Sequence, residues 1–259
     1  MSKTLPQFRP VPFTTQALLK VPEVTIYFWI IKLLTTAMGE STSDYLVFHL
    51  NPYLAVILGF VGFVVSLVLQ FSVRRYIPWV YWLAVVMVAI FGTMAADVLH
   101  VVIGVSYLAS TVFFIVALAV IFAVWYASEK TLSIHSITTP RREVFYWATI
   151  MATFALGTAA GDLTAATFGL GYFASGILFA VLFALPALAY RLLGLNGIVA
   201  FWFAYIMTRP LGASFADWFG KSILGGLGLG DTKVALVLTL LIIGFVAYVT
   251  VSRKDSPNR

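Results

Sequence analysis

Four aspartates stand in one register along this chain. Asp44, Asp97, Asp162 and Asp217 each lie five positions after a glycine: Gly39, Gly92, Gly157 and Gly212. Each glycine follows by ten positions the tryptophan of an aromatic pair: Phe28-Trp29, Tyr81-Trp82, Tyr146-Trp147 and Phe201-Trp202. A small residue (Ser43, Ala96, Gly161 or Ala216) precedes each aspartate. The unit [FY]-W-x9-G-x3-small-D sits each time inside an apolar run with the length of a membrane-crossing helix. A carboxylate there costs roughly 2.5–3.5 kcal/mol on insertion scales, so it calls for an aqueous cavity, an ion or a partner.

Counting back in fours from each aspartate traces one helix face. The first unit gives Glu40, Thr36 and Lys32; the second Thr93 and Ala89; the third Thr158 and Phe154; the fourth Ala213 and Arg209. Glu40 and the four aspartates outnumber the two buried bases, Lys32 and Arg209, so the stripe is net acidic. Two carboxylates about 6 Å apart repel by roughly 3 kcal/mol at an effective dielectric near 20. Such a cluster binds a cation, takes up protons or uses the internal bases. Oxygen ligands without thiolates suit a hard or borderline divalent ion such as manganese or magnesium, or proton-coupled exchange. The expected site is an outer ring of Asp44, Asp97, Asp162 and Asp217, with Glu40 as inner carboxylate or proton carrier. Thr36, Thr93 and Thr158 form a polar stripe, and Lys32 and Arg209 are charge partners. Asp97 and His100, three apart on one face, are a second candidate metal pair.

Other readings stay open. The charges could be a salt-bridge lock in a structural or binding protein, with Lys32 or Arg209 paired to Glu40, Asp44 or Asp217. A small organic cation could instead be carried against the many aromatic rings. No cofactor is expected, a metal ion entering only as substrate. No nucleophile–His–acid set or zinc signature appears, so an enzyme is not expected. The stretch GGLGLGD (225–231) lacks the Lys-Ser/Thr ending and preceding strand of a phosphate loop. It reads as an outer turn or re-entrant segment.

The elements follow from composition. Of 259 residues, 61% are hydrophobic and 10% charged, too apolar for a soluble domain of this size, and there is no cysteine. Eight spans are expected, at about 23–46, 53–73, 79–102, 107–127, 144–166, 172–192, 197–218 and 233–251. Twelve of the sixteen Lys and Arg fall on alternate connectors and the termini; Lys221 and Lys233 fall on the others, and Lys32 and Arg209 inside spans. By the positive-inside rule both termini are cytoplasmic, and the net charge of +6 is explained by topology rather than by nucleic-acid binding. Residues 1–22 read as a cytoplasmic lead-in without a signal peptide, and 252–259 as a cytoplasmic tail. Between them lies one membrane domain, 23–251, of four repeats at about 23–75, 76–128, 143–193 and 196–251.

Each repeat crosses twice, so all four must point the same way. The expected fold is an all-α polytopic membrane protein: eight transmembrane helices as four parallel two-helix repeats around a pseudo-symmetric axis, odd helices inside and even helices outside. The repeat glycines are expected to let helices approach closely. The aromatic–Trp pairs are expected to anchor spans at the interface. The segments KVPEVTIYFWIIKLLTTAMGESTSDYL, TPRREVFYW, FALGTAAGDL and TRPLGASFADW resemble a bacterial integral-membrane family built from a repeat of unknown function. The resemblance runs from about residue 20 to 250. It implies a multi-pass protein of the bacterial inner membrane and carries no activity with it.

Overall fold

Each expected span coincides with a long helix in the computed structural model, which describes residues 19–256. The helices are α1 (Ile26–His49), α2 (Pro52–Ser72), α3 (Pro78–Asp97), α4 (Tyr107–Glu129), α5 (Pro140–Asp162), α6 (Gly171–Leu193), α7 (Gly197–Gly220) and α8 (Asp231–Ser252). The described residues contain no strand. Most of the lead-in (residues 1–18) and residues 257–259, with Lys3, Arg9 and Arg259 of the basic count, lie outside them. Seven helices are long and apolar enough to cross a membrane. The exception is α1, which carries Lys32, Glu40 and Asp44.

Local sequence sets the helix starts. Proline opens α2, α3 and α5, where its missing N–H is not needed. Asn51, Ser106, Thr139 and Asn196 cap α2, α4, α5 and α7 by accepting backbone N–H bonds with their side chains. After Asp97 and Asp162, α3 and α5 run on as a wider π turn, Val98–Val102 and Leu163–Thr167. Such turns are frequent at functional sites.

Glycine decides the packing. Between helices in lipid there is little hydrophobic drive, so close backbone approach at small residues must hold them. A Cβ on Gly39 would strike Ala89 of α3, and one on Gly92 would strike Phe154 of α5. One on Gly157 would strike Arg209 and Pro210 of α7, and one on Gly212 would strike Thr36 of α1. Each repeat glycine thus seats the next repeat's residue eight positions before its aspartate, and the fourth closes on the first. The inner helices α1, α3, α5 and α7 touch in that cyclic order. In the searched apolar windows α3, α5 and α7 bury 56%, 67% and 61% of residues, against 11–28% for α2, α4, α6 and α8, which places the even helices outside.

The hairpin is a unit of sequence but not of packing. Contact within the first hairpin, α1 with α2, is slight; α2 lies against α3, α4 against α5, α6 against α7, and α8 returns to α1. Gly59 and Gly62 of α2 receive the Met94 and Met87 side chains of α3, which gives the outer helix its seat. The aromatic–Trp pairs also depart from expectation. Phe28, Tyr81, Trp82, Tyr146, Trp147 and Trp202 are buried in the core rather than spread along the lipid boundary. Four inner helices meet there and leave a space that large rings fill, as in the Tyr81–Trp82 and Phe28–Trp82 contacts (5.1 and 5.7 Å between ring centroids).

The end of the bundle rich in arginine is closed by residues 19–25. Lys20 Nζ donates to Glu143 Oε2 at 2.5 Å in a buried ion pair, and Gln70 Nε2 donates to Glu143 Oε1 at 2.9 Å. The Glu23 N–H donates to the Asp255 carbonyl at 2.9 Å, and the Tyr76 hydroxyl donates to the Asp255 carboxylate. Burial pushes the Asp255 carboxyl above its usual 3.8, and the Tyr76 bond pulls it only partly back.

Two outcomes are expected. Gly157→Val should lower the melting temperature in detergent by about 3–10 °C, the usual cost of overpacking. Gly244→Val, whose added atom meets nothing within 4 Å, should leave it unchanged. Because the folded state binds the Asp255 proton more tightly than the unfolded chain, that share of stability is present at low pH and lost as pH rises from 3.8 through the raised value. Melting curves across that window should be flatter for Asp255→Asn than for the wild type.

Candidate functional site

Steps of four residues along the inner helices generate five layers, each drawing one residue from every repeat. From the arginine-rich end they are Phe28, Tyr81, Tyr146, Phe201; then Lys32, Val85, Ile150, Tyr205; then Thr36, Ala89, Phe154, Arg209; then Glu40, Thr93, Thr158, Ala213; and last Asp44, Asp97, Asp162, Asp217. Every member of the three middle layers is buried. The expected polar face is therefore the axis of the bundle, and hydroxyls and charges enter it only in particular repeats.

Arg209 organises the fourth layer from the third. Its Nη2 donates to Glu40 Oε2 at 2.5 Å, to the Thr158 hydroxyl at 2.8 Å and to the Thr93 hydroxyl, while Nη1 donates to the Thr36 carbonyl at 3.3 Å. Thr93 and Thr158 spend their own protons on the carbonyls of Ala89 and Phe154, which leaves their oxygens free to accept from the guanidinium. The fourth repeat contributes only Ala213 to this layer, and the space it leaves is where the Arg209 head sits. Arg209 and Glu40 are both almost wholly buried. Of the pairings expected for Arg209, the one with Glu40 forms.

Lys32 makes no such pair. Its Nζ lies 4.0 Å from the Phe154 ring centroid and 4.1 Å from that of Tyr205, and has no hydrogen-bond partner among the described residues.

Two of the four aspartates gather with Glu40. Glu40, Asp44 and Asp217 each offer a carboxylate oxygen within 4.8 Å of the others. Lys221 joins them, its Nζ 2.9 Å from Asp44 Oδ2 and 2.8 Å from Asp217 Oδ1. These are charge contacts, since neither oxygen meets hydrogen-bond geometry. Burial alone would lower the Lys221 ammonium, but Asp217, Asp44 and Glu40 outweigh it and hold it well above the usual lysine value. Asp97 and Asp162 occupy the same layer but form no ion pair among the described residues and stand outside the set of three. His100 turns its Nδ1 to the Val105 carbonyl (3.2 Å) and Ser110 hydroxyl. His49 bonds the Tyr45 carbonyl one turn back, and His135 faces Glu23 at 3.7 Å.

Lys221 is held by the glycine-rich stretch. The N–H groups of Leu227, Leu229 and Gly230 donate to the carbonyls of Trp218, Phe219 and Gly220, so the loop folds back over the end of α7. Gly225, Gly228 and Gly230 have positive φ, which this reversal requires. Tyr172 N–H, at the start of α6, donates to the Leu224 carbonyl and pins the loop from the side.

The family model described as "Repeat of Unknown Function (DUF347)" matches the chain four times, at residues 27–76, 80–131, 145–194 and 200–255. The chain belongs to the DUF347 family. No curated protein and no solved structure matches it. Each DUF347 repeat contains one aromatic–Trp pair, one glycine and one aspartate of the register, so the five layers are a property of the repeat itself.

Sequence reasoning placed Lys221 in an outer connector and so missed it. Its spacing of four from Asp217 was the available signal, since such pairs share a helix face. Nothing in the sequence linked Lys20 with Glu143, or Tyr76 with Asp255, because their separations of 123 and 179 residues carry no periodic signature.

Removing one member of a buried ion pair leaves the other unpaired, at a typical cost of about 3–5 kcal/mol. Arg209→Met should therefore destabilise strongly, and Arg209→Met combined with Glu40→Gln should recover part of the loss. Thermal unfolding of both single variants and the double variant checks the coupling.

Proposed function

We propose that this protein is a membrane transporter of a small cation, with a divalent ion such as manganese or magnesium as the best chemical fit. The observation that carries the reading is the meeting of Glu40, Asp44 and Asp217 within 4.8 Å around the Lys221 ammonium. At metal–oxygen distances of about 2.0–2.1 Å, opposite ligands of one octahedral ion lie about 4.0–4.2 Å apart and adjacent ones about 2.9 Å, so the three carboxylates draw closer together as they take up the ion. Lys221 acts as a tethered stand-in that neutralises the carboxylates when the ion is gone. Asp97 and Asp162, in the same layer, hold the field negative along the entry route. Arg209 keeps one oxygen of Glu40 in place while the other remains free to bind.

In this reading four parallel two-helix repeats surround an axis along the membrane normal. Both termini lie on the cytoplasmic side of a bacterial inner membrane, consistent with the basic residues at one end of the bundle. The protein carries out no covalent chemistry. The rival reading, a salt-bridge lock with no ligand, is favoured by the Arg209–Glu40–Thr93–Thr158 network, which needs no ion to be satisfied.

Melting of purified protein across a metal panel separates the two. Transport predicts protection by Mn²⁺ or Mg²⁺ that rises with concentration, is lost in Asp217→Asn, and is matched by uptake in proteoliposomes. Lys221→Gln removes the competing ammonium and should tighten ion binding by about tenfold, roughly 1.4 kcal/mol. A lock predicts no ion protection in any variant and a lower melting temperature for Lys221→Gln.

A further inference from the structure

The layers nearest the arginine-rich end contain proton-bearing groups that packing does not require. Phe28 and Phe201 fill the first layer in repeats one and four, yet repeats two and three place Tyr81 and Tyr146 at the same register. Their hydroxyls, buried, lie 2.5 Å apart. In the second layer, repeats two and three supply Val85 and Ile150, while Lys32 and Tyr205 stand at the equivalent positions. The Lys32 ammonium rests on the Tyr205 ring, and neither Lys32 Nζ nor the Tyr205 hydroxyl has a hydrogen-bond partner among the described residues. Burying unpaired polar groups costs free energy that phenylalanine or leucine would avoid.

The series continues toward the surface. The Tyr76 ring lies 5.8 Å from that of Tyr81, and the Tyr76 hydroxyl donates to Asp255. The second oxygen of Asp255, Oδ1, is buried without a hydrogen-bond partner. Asp255 and Tyr76 line a cavity of about 390 Å³ at this end, together with Arg75 and Arg253.

We propose that Asp255, Tyr76, Tyr81, Tyr146, Tyr205 and Lys32 form a proton path from the Arg75–Arg253 cavity to the layer beneath Arg209. The path rests on the cation-site reading for its purpose, which is to exchange one proton against the ion held by Glu40, Asp44 and Asp217. At each step an oxygen accepts one proton as its own hydroxyl proton passes to the next group. Lys32 ends the tyrosine relay, its amine gaining the proton and its ammonium settling against Phe154 and Tyr205; bridging waters carry the proton on from Lys32 to the Glu40 carboxylate once the ion has left, which completes the crossing. One proton moves and every tyrosine is restored. The steps from Tyr76 to Tyr81, from Tyr146 to Tyr205 and from Tyr205 to Lys32 each need a side-chain or hydroxyl rotation or a bridging water, since Lys32 Nζ rests on the Tyr205 ring rather than at its hydroxyl. A charged Lys32 lies one layer below Arg209, and like charges repel. It therefore drives the guanidinium toward Glu40 and the carboxylates, which disfavours a bound cation. Proton and ion exclude each other, as exchange requires.

The experiment uses the full chain in proteoliposomes with an internal pH-sensitive dye, driven by a Mn²⁺ gradient or by a pH difference alone, alongside Mn²⁺-dependent melting. Tyr146→Phe is the central variant, because phenylalanine already serves at this register in two repeats. It should keep Mn²⁺ protection within about twofold and slow proton movement at least tenfold. Tyr205→Phe should do the same, and Lys32→Met should stop proton movement. Tyr27→Phe, at the outer Tyr27–Tyr248 contact, should change neither. Proton movement at the wild-type rate in Tyr146→Phe and Tyr205→Phe overturns the path, as does wild-type Mn²⁺ transport without proton movement. If Mn²⁺ and Mg²⁺ give no protection, the cation reading fails by itself; Tyr146-dependent proton movement under a pH difference then still supports the path, and its absence overturns it.

Discussion

The Arg209 guanidinium is the one side chain on which the interior of this bundle depends. It reaches across the axis from the fourth repeat and satisfies a polar group from each of the other three: Glu40, Thr93 and Thr158. In an apolar medium an unpaired charge is costly, so this contact favours the meeting of all four inner helices at one level. The same residue fixes the helix spacing, because its stem lies against Gly157. A charge that must be paired and a glycine that must be empty are thus two sides of one contact.

Four copies of a repeat would tend toward a symmetric bundle, with identical residues facing one another in every layer. Identical charges cannot face one another in a dry interior. Symmetry survives where side chains are small or aromatic, as in the cycle of glycine contacts, and at the last layer, to which every repeat contributes an aspartate. Between those limits it is broken: one glutamate, one arginine and one lysine are each confined to a single repeat. The deviations from the repeat mark the positions where charge has been admitted to the axis. Lys221 continues the pattern from outside the repeat register, where a glycine-rich turn delivers a cation to the carboxylates of the first and fourth repeats.

The outer helices answer a different constraint. Each must cover apolar surface without carrying the ring contacts. The groove it fills lies beside the following repeat's inner helix, so α2 serves α3, and α8 serves α1 across the seam where the chain begins and ends. Tyr27 of α1 packs against Tyr248 of α8 with tilted rings 5.3 Å apart, so the seam is closed by side chains rather than by a connector. Interleaving of this kind ties each repeat to its neighbour and makes no hairpin self-sufficient.

By itself the sequence determined the helix count, the four-fold register, the polar face of each inner helix and the small-residue role of Gly39, Gly92, Gly157 and Gly212. These are periodic properties, and a period of 3.6 residues or of one repeat can be read along a single chain. Glu40 and Arg209 were legible as charges on the correct faces, because both had to point away from lipid. Tertiary structure alone decided which charges meet. Arg209 took Glu40, Lys32 took two aromatic rings, Lys221 entered the acidic cluster, and Asp97 and Asp162 stayed out of the set of three. It also decided that the aromatic–Trp pairs lie in the core and that α2 leaves its hairpin partner. Those outcomes depend on distances of a few ångströms between helices far apart in the chain. Side-chain reach and the order of closure set them, and neither leaves a mark in local sequence.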